Sequence, residues 1–114
     1  MKFYSAIVGF LLVSLFAVSA CGDSSDVKVS SEMQDFLQEI QGSYKDVSAA
    51  LEKYAANDEL KTHNITMYDL SEGKVIAGND DCYTTEFNAG ITVRVYVICW
   101  QNGKIISITS KGIK

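Results

Sequence analysis

The sequence has few of the residues on which common enzyme chemistry depends. It contains no proline and one histidine, His63, among 114 residues. Most hydrolases place a base beside a nucleophile or a metal, whereas His63 stands in a link between predicted elements, where a solvated loop residue is the simpler interpretation. Glycine-rich phosphate loops, paired-cysteine metal motifs and nucleophile elbows are also missing from the sequence. We therefore predict a protein that is not an enzyme and that holds no cofactor and no metal.

Basic residues and long apolar runs are also scarce. The chain has 10 lysine and arginine residues against 14 aspartate and glutamate residues, and the basic ones form no patch. The sequence therefore predicts no nucleic-acid partner. The one long apolar run covers residues 6–17, whereas a membrane-spanning helix needs about 20 such residues. A cleaved leader is thus a better interpretation of this run than a spanning helix.

The layout of the run is typical of a secretory signal peptide, because Lys2 precedes it and small residues end it. Its last residue is followed by Val18, Ser19, Ala20 and Cys21. These four resemble the bacterial lipobox, in which an aliphatic residue, two small residues and an invariant cysteine direct lipid attachment to the thiol and cleavage before it. The resemblance implies a mature lipoprotein that begins at Cys21 and carries a diacylglyceryl thioether and usually an acylated amine. An ordinary signal peptide with a cysteine at its boundary and an uncleaved anchor are the alternatives.

The cysteine count agrees with lipidation. The chain has three cysteines, and an odd cysteine in an exported protein calls for an explanation. A lipid on Cys21 leaves Cys82 and Cys99 as a pair. Several acyl chains anchor a protein stably, whereas a single chain does so only marginally. Gly22 follows the cysteine where the best-known sorting rule would require aspartate for inner-membrane retention, so we expect the outer membrane of a bacterial cell envelope, with the domain facing the periplasm.

One domain is expected after the leader. Removal of residues 1–20 leaves 94 residues, which suits a single core, and the loss of Lys2 changes the net charge from −4 to about −5. We predict a lipidated tether over residues 21–30 and a single α+β domain over residues 31–114. The nine residues 22–30 reach roughly 30 Å when extended, so the domain should work close to the membrane.

One long helix is predicted over residues 31–57. Ser31 and Gln34 have the spacing of a capping box. The apolar residues that follow recur at alternating steps of four and three, which predicts one stripe packed on a sheet; they are Met33, Leu37, Ile40, Tyr44, Val47, Leu51 and Tyr54. The weak point is Gly42, because glycine destabilises a helix interior by roughly 1 kcal/mol relative to alanine, and Ser43 could cap a second helix.

The rest of the chain predicts an antiparallel meander of four to five strands. Short runs rich in β-branched and aromatic residues are joined by links of hairpin length; the runs are residues 65–70, 74–77, 82–87, 91–100 and 104–110. Asn102 and Gly103 predict a type I′ turn, whose register pairs Trp100 with Ile105 and continues regularly from there. One long helix on such a sheet is similar in architecture to cystatin-like folds, by analogy and without a shared motif.

A disulfide between Cys82 and Cys99 is predicted, because both thiols enter an oxidising compartment and lie in neighbouring strands. The expected three-residue link, residues 88–90, pairs Phe87 with Ile91 and turns the two cysteines to opposite faces of the sheet. A disulfide requires Cβ atoms about 3.5 to 4.5 Å apart. The prediction therefore also requires a bulge or a different register in this hairpin.

Side chains alternate along a strand, so the sheet has two faces. The face expected to meet the helix is wholly apolar and consists of Val93, Val95, Val97, Cys99, Ile106 and Ile108. The face expected to remain free consists of Arg94, Tyr96, Ile98, Trp100 and Ile105. Aromatic residues and arginine are enriched at binding hot spots, so this second face is predicted to dock a protein partner or a second copy of the domain. The alternative is that these side chains pack on one another or beneath the link between helix and sheet.

These observations predict a membrane-anchored module of the cell envelope that binds or inhibits a protein. The membrane contact is expected through the lipid anchor. A small envelope hydrolase and a purely structural envelope lipoprotein are the alternative functions.

Overall fold

The computed structural model describes residues 27–114, so the predicted signal peptide, the lipobox and Cys21 lie outside the described residues. The helices are α1 Ser31–Glu39, α2 Tyr44–Tyr54 and α3 Asp58–Lys61, followed by the 3-10 helix Asn64–Met67. The strands are β1 Ser71–Asn79, β2 Cys82–Ala89, β3 Thr92–Gln101 and β4 Lys104–Ile113. They form one antiparallel sheet in the order β1-β2-β3-β4. The predicted α+β class and antiparallel meander are confirmed.

The prediction of one long helix is wrong, because the chain breaks between α1 and α2. Gly42 has a φ of +110°, a conformation that L side chains rarely adopt. The Ser43 side chain then accepts a hydrogen bond of 3.1 Å from the backbone N–H of Lys45, which caps a second helix. The analogy with cystatin-like folds depended on the long helix and loses that support. The predicted apolar stripe is nevertheless buried at most of its positions in both helices.

The start of α1 lies against the sheet. Its N-cap is Ser30, whose Oγ accepts a hydrogen bond of 3.2 Å from the backbone N–H of Met33, so the cap is one residue earlier than predicted. The backbone N–H of Ser30 donates to the Tyr83 hydroxyl at 3.1 Å, and Val27 and Val29 pack against the hydrophobic core. Residues 27–30, which the sequence assigned to the tether, therefore lie against the domain.

The predicted first strand, residues 65–70, is wrong. This segment begins with the 3-10 helix, in which Nδ1 of His63 accepts a hydrogen bond of 3.3 Å from the backbone N–H of Ile65. Ile65 is fully buried. The single histidine is thus a local cap that competes with extended structure, and the sheet begins only at Ser71.

The β2–β3 hairpin has the register that the disulfide requires. Its turn consists of two residues, Gly90 and Ile91, instead of the three predicted, and this places Cys82 directly opposite Cys99. Their Cα atoms are 4.0 Å apart and the sulfur atoms are bonded. The predicted disulfide and the alternative of a different register are both confirmed.

The β3–β4 hairpin contains the predicted turn but not the predicted register beyond it. Asn102 and Gly103 have φ values of +54° and +76°, which agree with type I′. The register then shifts by one residue, so that Ile108 and not Ser107 pairs with Ile98. Such a bulge brings two residues of one strand opposite one of the next. As a result both isoleucines that face the core on β4, Ile105 and Ile108, are buried.

The helices cover the opposite sheet face from the one predicted. Trp100 lies between two helices, with its ring centroid 5.9 Å from that of Phe36 and 5.8 Å from that of Tyr54. Its indole N–H donates to the sulfur of Met33 at 3.1 Å. The physical reason is size, since each aromatic side chain buries about 150 to 250 Å² and valine has less apolar surface to bury.

Glu39 connects the two longer helices. Its carboxylate accepts a hydrogen bond of 2.8 Å from the Tyr54 hydroxyl and one of 3.0 Å from the Lys53 ammonium group. These two contacts, the one from Tyr54 first, hold the pKa of Glu39 below its ordinary value of 4.5. A single carboxylate thus joins the end of α1 to the end of α2.

We expect the Glu39 contact to make stability depend on pH in acid. Because its folded-state pKa is lowered, the stabilisation is present above pH 4.5 and is lost as the pH falls through the lower folded value. The Glu39→Gln variant should show a smaller decline between pH 5.5 and pH 3, by about 0.5 kcal/mol because the pair is partly exposed. Urea unfolding at the two pH values measures this. Glu52→Gln is the control, since Glu52 pairs with Lys61 of α3 and not with α1; an equal change in both variants would contradict the assignment.

Candidate binding surface

The sheet face away from the helices carries a stripe of three valines on β3. Val93, Val95 and Val97 are partly buried, but they are not among the side chains that pack against the hydrophobic core. The Cys82–Cys99 disulfide continues the same stripe toward the end of the strand. We term this surface, which consists of the three valines and the disulfide, the outer face.

The neighbours of the outer-face valines differ along β3. Val97 lies between Thr84 of β2 and Thr109 of β4, and its two neighbours carry no charge. Val95 lies between Glu86 and Gly112. Of these two valines, Val97 alone is therefore bordered by uncharged residues on both sides.

An ion pair lies across the outer face, because Glu86 stands beside Val95 on β2 and the backbone N–H of Lys114 donates to the carbonyl of Val93 from the other side of β3. Glu86 accepts a hydrogen bond of 2.6 Å from the ammonium group of Lys114, and Lys74 stands opposite Glu86 on β1. Glu86 and Lys74 border a depression of about 260 Å³ that also includes Glu72, Asn88 and Val93. The outer face therefore combines the valine stripe with one ion pair that crosses it.

The N-terminal segment lies at one end of the sheet. Val27 lies over Gly78, where an added Cβ would come within 3.0 Å of its side chain. Gly78 is close to the β1–β2 turn, and the β3–β4 turn lies at the same end because strand directions alternate. We term this the proximal end, and the end with the β2–β3 turn the distal end.

The most exposed large apolar side chains lie at the distal end. Ile91 is 104% exposed in the β2–β3 turn, Met67 is 73% exposed in the 3-10 helix, and Ile113 is 60% exposed near the end of β4. Ile113 pairs with Arg94 at the start of β3. These side chains surround the turn individually and do not form a continuous stripe along one strand.

The residues predicted for partner binding lie mainly in the core. Tyr96, Ile98, Trp100 and Ile105 are buried, and burial is the first cause of the raised pKa of Tyr96. Arg94 lies at the margin of this cluster, with its guanidinium carbon 3.7 Å from the centroid of the Tyr68 ring. The predicted exposure of this face is wrong. The valines were missed as the free surface, although the smaller size of their side chains was visible in the sequence.

Two further features bear on function. In residues 27–114, no group of three or more histidine, cysteine, aspartate or glutamate side chains is arranged to hold a metal ion. None of the helices in this part of the chain is long and apolar enough to cross a membrane.

Comparison of the chain with protein-family models, with curated proteins and with solved structures finds no match.

Proposed function

We propose that the protein is a bacterial cell-envelope lipoprotein, held to the outer membrane by a lipid on Cys21, that binds a protein through its outer face. The observation that carries the binding role is the valine stripe. An antiparallel sheet covered on one side normally directs polar side chains to the other side. Here Val93, Val95 and Val97 occupy successive outward positions of a central strand. Partly exposed apolar side chains on a sheet face that the helices do not cover are candidates for an interaction surface.

The anchor supports a location close to the membrane. Five residues, 22–26, lie between the proposed lipid attachment at Cys21 and the first described residue, Val27, and this link spans roughly 20 Å when extended. The Cys82–Cys99 disulfide agrees with an oxidising compartment such as the periplasm. A partner must therefore be reachable from a domain that stays within a short distance of the lipid surface.

Lipidation is tested directly in cells. A labelled fatty acid should be incorporated into the wild-type protein, because the lipobox directs acyl chains to Cys21. The Cys21→Ser variant should remain unlabelled and should leave the membrane fraction, since no acyl chain then holds it. Gel autoradiography and membrane fractionation measure the two effects. An unlabelled wild-type protein would contradict the proposed anchor.

Binding is tested with a charge placed on the outer face. Val97→Glu should abolish capture of envelope proteins by the membrane-bound protein, because a carboxylate would lose its water in an apolar contact. Ile91→Glu is the matched control, since it places the same charge on an exposed apolar residue outside the outer face. Affinity capture after cross-linking, with the unfolding midpoint as a check of folding, measures the result. Equal capture by both variants would remove the outer face from the proposal.

A further inference from the structure

We propose that the domain has a second binding site, around Arg94 at the distal end, for the free carboxylate at the end of a peptide. The site goes beyond the proposed function, because it does not use the outer face. Side chains alternate along a strand, so Arg94 lies on the side of β3 opposite Val93 and Val95. Three features support the site, namely the charge of Arg94, the depression beside it and the position of a nearby carboxylate.

Arg94 is a cation without an anionic partner in the described part of the chain. It is the only arginine in the sequence, and the ion pairs within residues 27–114 all use lysine. Its Nε atom is buried and has no hydrogen-bond partner among these residues, although native proteins satisfy nearly all buried donors. Burial raises the pKa of Tyr96, and the nearby charge of Arg94 opposes that rise. The neutral Tyr96 hydroxyl does not balance the charge, so Arg94 favours an anionic ligand.

Tyr68 covers one side of the guanidinium group. The guanidinium carbon lies over the Tyr68 ring, 3.7 Å from its centroid, in the contact that a cation makes with an aromatic face. The donors of a guanidinium form a planar fork that matches the two oxygens of a carboxylate. A ligand therefore approaches the fork from the sides that the ring leaves open. This geometry suits a carboxylate, which accepts two parallel hydrogen bonds.

The depression beside Arg94 has room for the end of a peptide. Its volume is about 330 Å³, and it is lined by Met67, Tyr68, Asp69, Ala89, Gly90 and Arg94. Ligand-binding clefts in proteins measure about 300 to 1,000 Å³. Met67 is 73% exposed, and its flexible thioether adapts to apolar groups of different shape. A carboxylate on Arg94 with an apolar side chain against Met67 is the arrangement that the last residue of a peptide provides.

Asp69 limits the charge that the ligand can carry. It lines the same depression, where its Oδ1 atom accepts a hydrogen bond of 2.7 Å from the backbone N–H of Tyr44. A second negative charge on the ligand would be repelled by this carboxylate. The neutral amide groups of a peptide add no such charge. A peptide with one carboxylate should therefore bind better than inorganic phosphate.

The test uses the full protein, isotopically labelled and purified in a nonionic detergent. Because Arg94 is the only arginine, its Nε–H group gives a single arginine side-chain signal in a proton–nitrogen spectrum. Acetyl-alanyl-leucine with a free carboxylate should shift this signal to saturation. The same dipeptide with a terminal amide should bind about tenfold or more weakly, because it cannot accept charge-assisted hydrogen bonds. Equal binding of the acid and the amide, or no shift with either, would overturn the site.

Variants identify the group that binds the carboxylate. Arg94→Gln should weaken binding of the dipeptide acid about tenfold or more, as followed by the backbone N–H signal of Gly90, with the unfolding midpoint as a check of folding. Lys111→Gln is the control, since it removes a positive charge from an exposed residue of β4 outside the depression. Equal losses in both variants would indicate a general effect of charge and would overturn the role of Arg94.

Two further probes test the chemistry of the ligand. Inorganic phosphate and free leucine should each bind more weakly than the dipeptide acid. Binding of either one as tightly as the dipeptide would overturn the assignment of a peptide end as the ligand. Failure of this inference would leave the proposed function standing, because the capture experiment with Val97→Glu probes the opposite face of the sheet.

Discussion

Reduction of the Cys82–Cys99 disulfide is expected to lower the free energy of unfolding of the mature domain by about 3 kcal/mol. The bond joins residues separated by 17 positions, and its loss frees the unfolded chain to explore more conformations. The folded hairpin should keep its register, since the two strands pair without a shift from Cys82 to Ala89. Urea unfolding with and without dithiothreitol measures the difference.

The control for this prediction is a chain in which both cysteines of the pair are replaced by alanine. That variant should unfold near the midpoint of the reduced wild type and should not respond to dithiothreitol. Thiol titration adds a direct check, because the unfolded, unreduced mature protein should show no free thiol at Cys82 or Cys99. Two free thiols at these positions would contradict the bond.

Trp100→Ala is expected to destabilise the domain by about 3 to 5 kcal/mol, the usual range for removal of a large core aromatic. Trp100 is 6% exposed, and its ring contacts Phe36 of α1 and Tyr54 of α2. The substitution would leave a cavity where both helices meet the sheet. A domain of this size has a total stability of about 5 to 15 kcal/mol, so the variant should lose a large fraction of its stability and melt at a clearly lower temperature.

Ile106→Ala provides the control for the tryptophan substitution. Ile106 belongs to the neighbouring strand but is 44% exposed, so its loss should change stability by about 0.5 kcal/mol or less, as for most surface positions. Thermal unfolding followed by circular dichroism measures both variants. A Trp100→Ala protein that melts like wild type but fails to bind a partner would restore the interpretation of Trp100 as a hot spot.

The parts of the fold that could be predicted depend on local patterns. The type I′ turn follows from two adjacent residues that tolerate positive φ, Asn102 and Gly103. The disulfide follows from the expected oxidising compartment and from the two cysteines that remain when Cys21 is set aside for the lipid. Gly42 indicated a possible helix break, but the continuous apolar stripe favoured one helix. In the structure Gly42 has a positive φ, and this single residue separates the two helices.

The face of the sheet that meets the helices could not be predicted from alternation alone. Alternation separates the valines from Tyr96, Ile98 and Trp100, and both sets are largely apolar. The choice depends on which set buries more area against two short helices, and the aromatic set does. The bulge in β4 is a second non-local feature, since it appears only when Ile105 and Ile108 must face the same core. The prediction of an exposed binding face around Trp100 was wrong because of these two features.

The irregular pairing of the two outer strands has a consequence for encounters between copies of the domain. The central strands β2 and β3 pair regularly, whereas the pairings that involve β1 and β4 each contain two register shifts. In addition, the backbone N–H of Ala56 donates to the carbonyl of Ile105 at 2.8 Å, which occupies part of the free edge of β4. Bulged and covered edges are poor templates for strand addition. Copies of the domain are thereby discouraged from joining into a continuous intermolecular sheet.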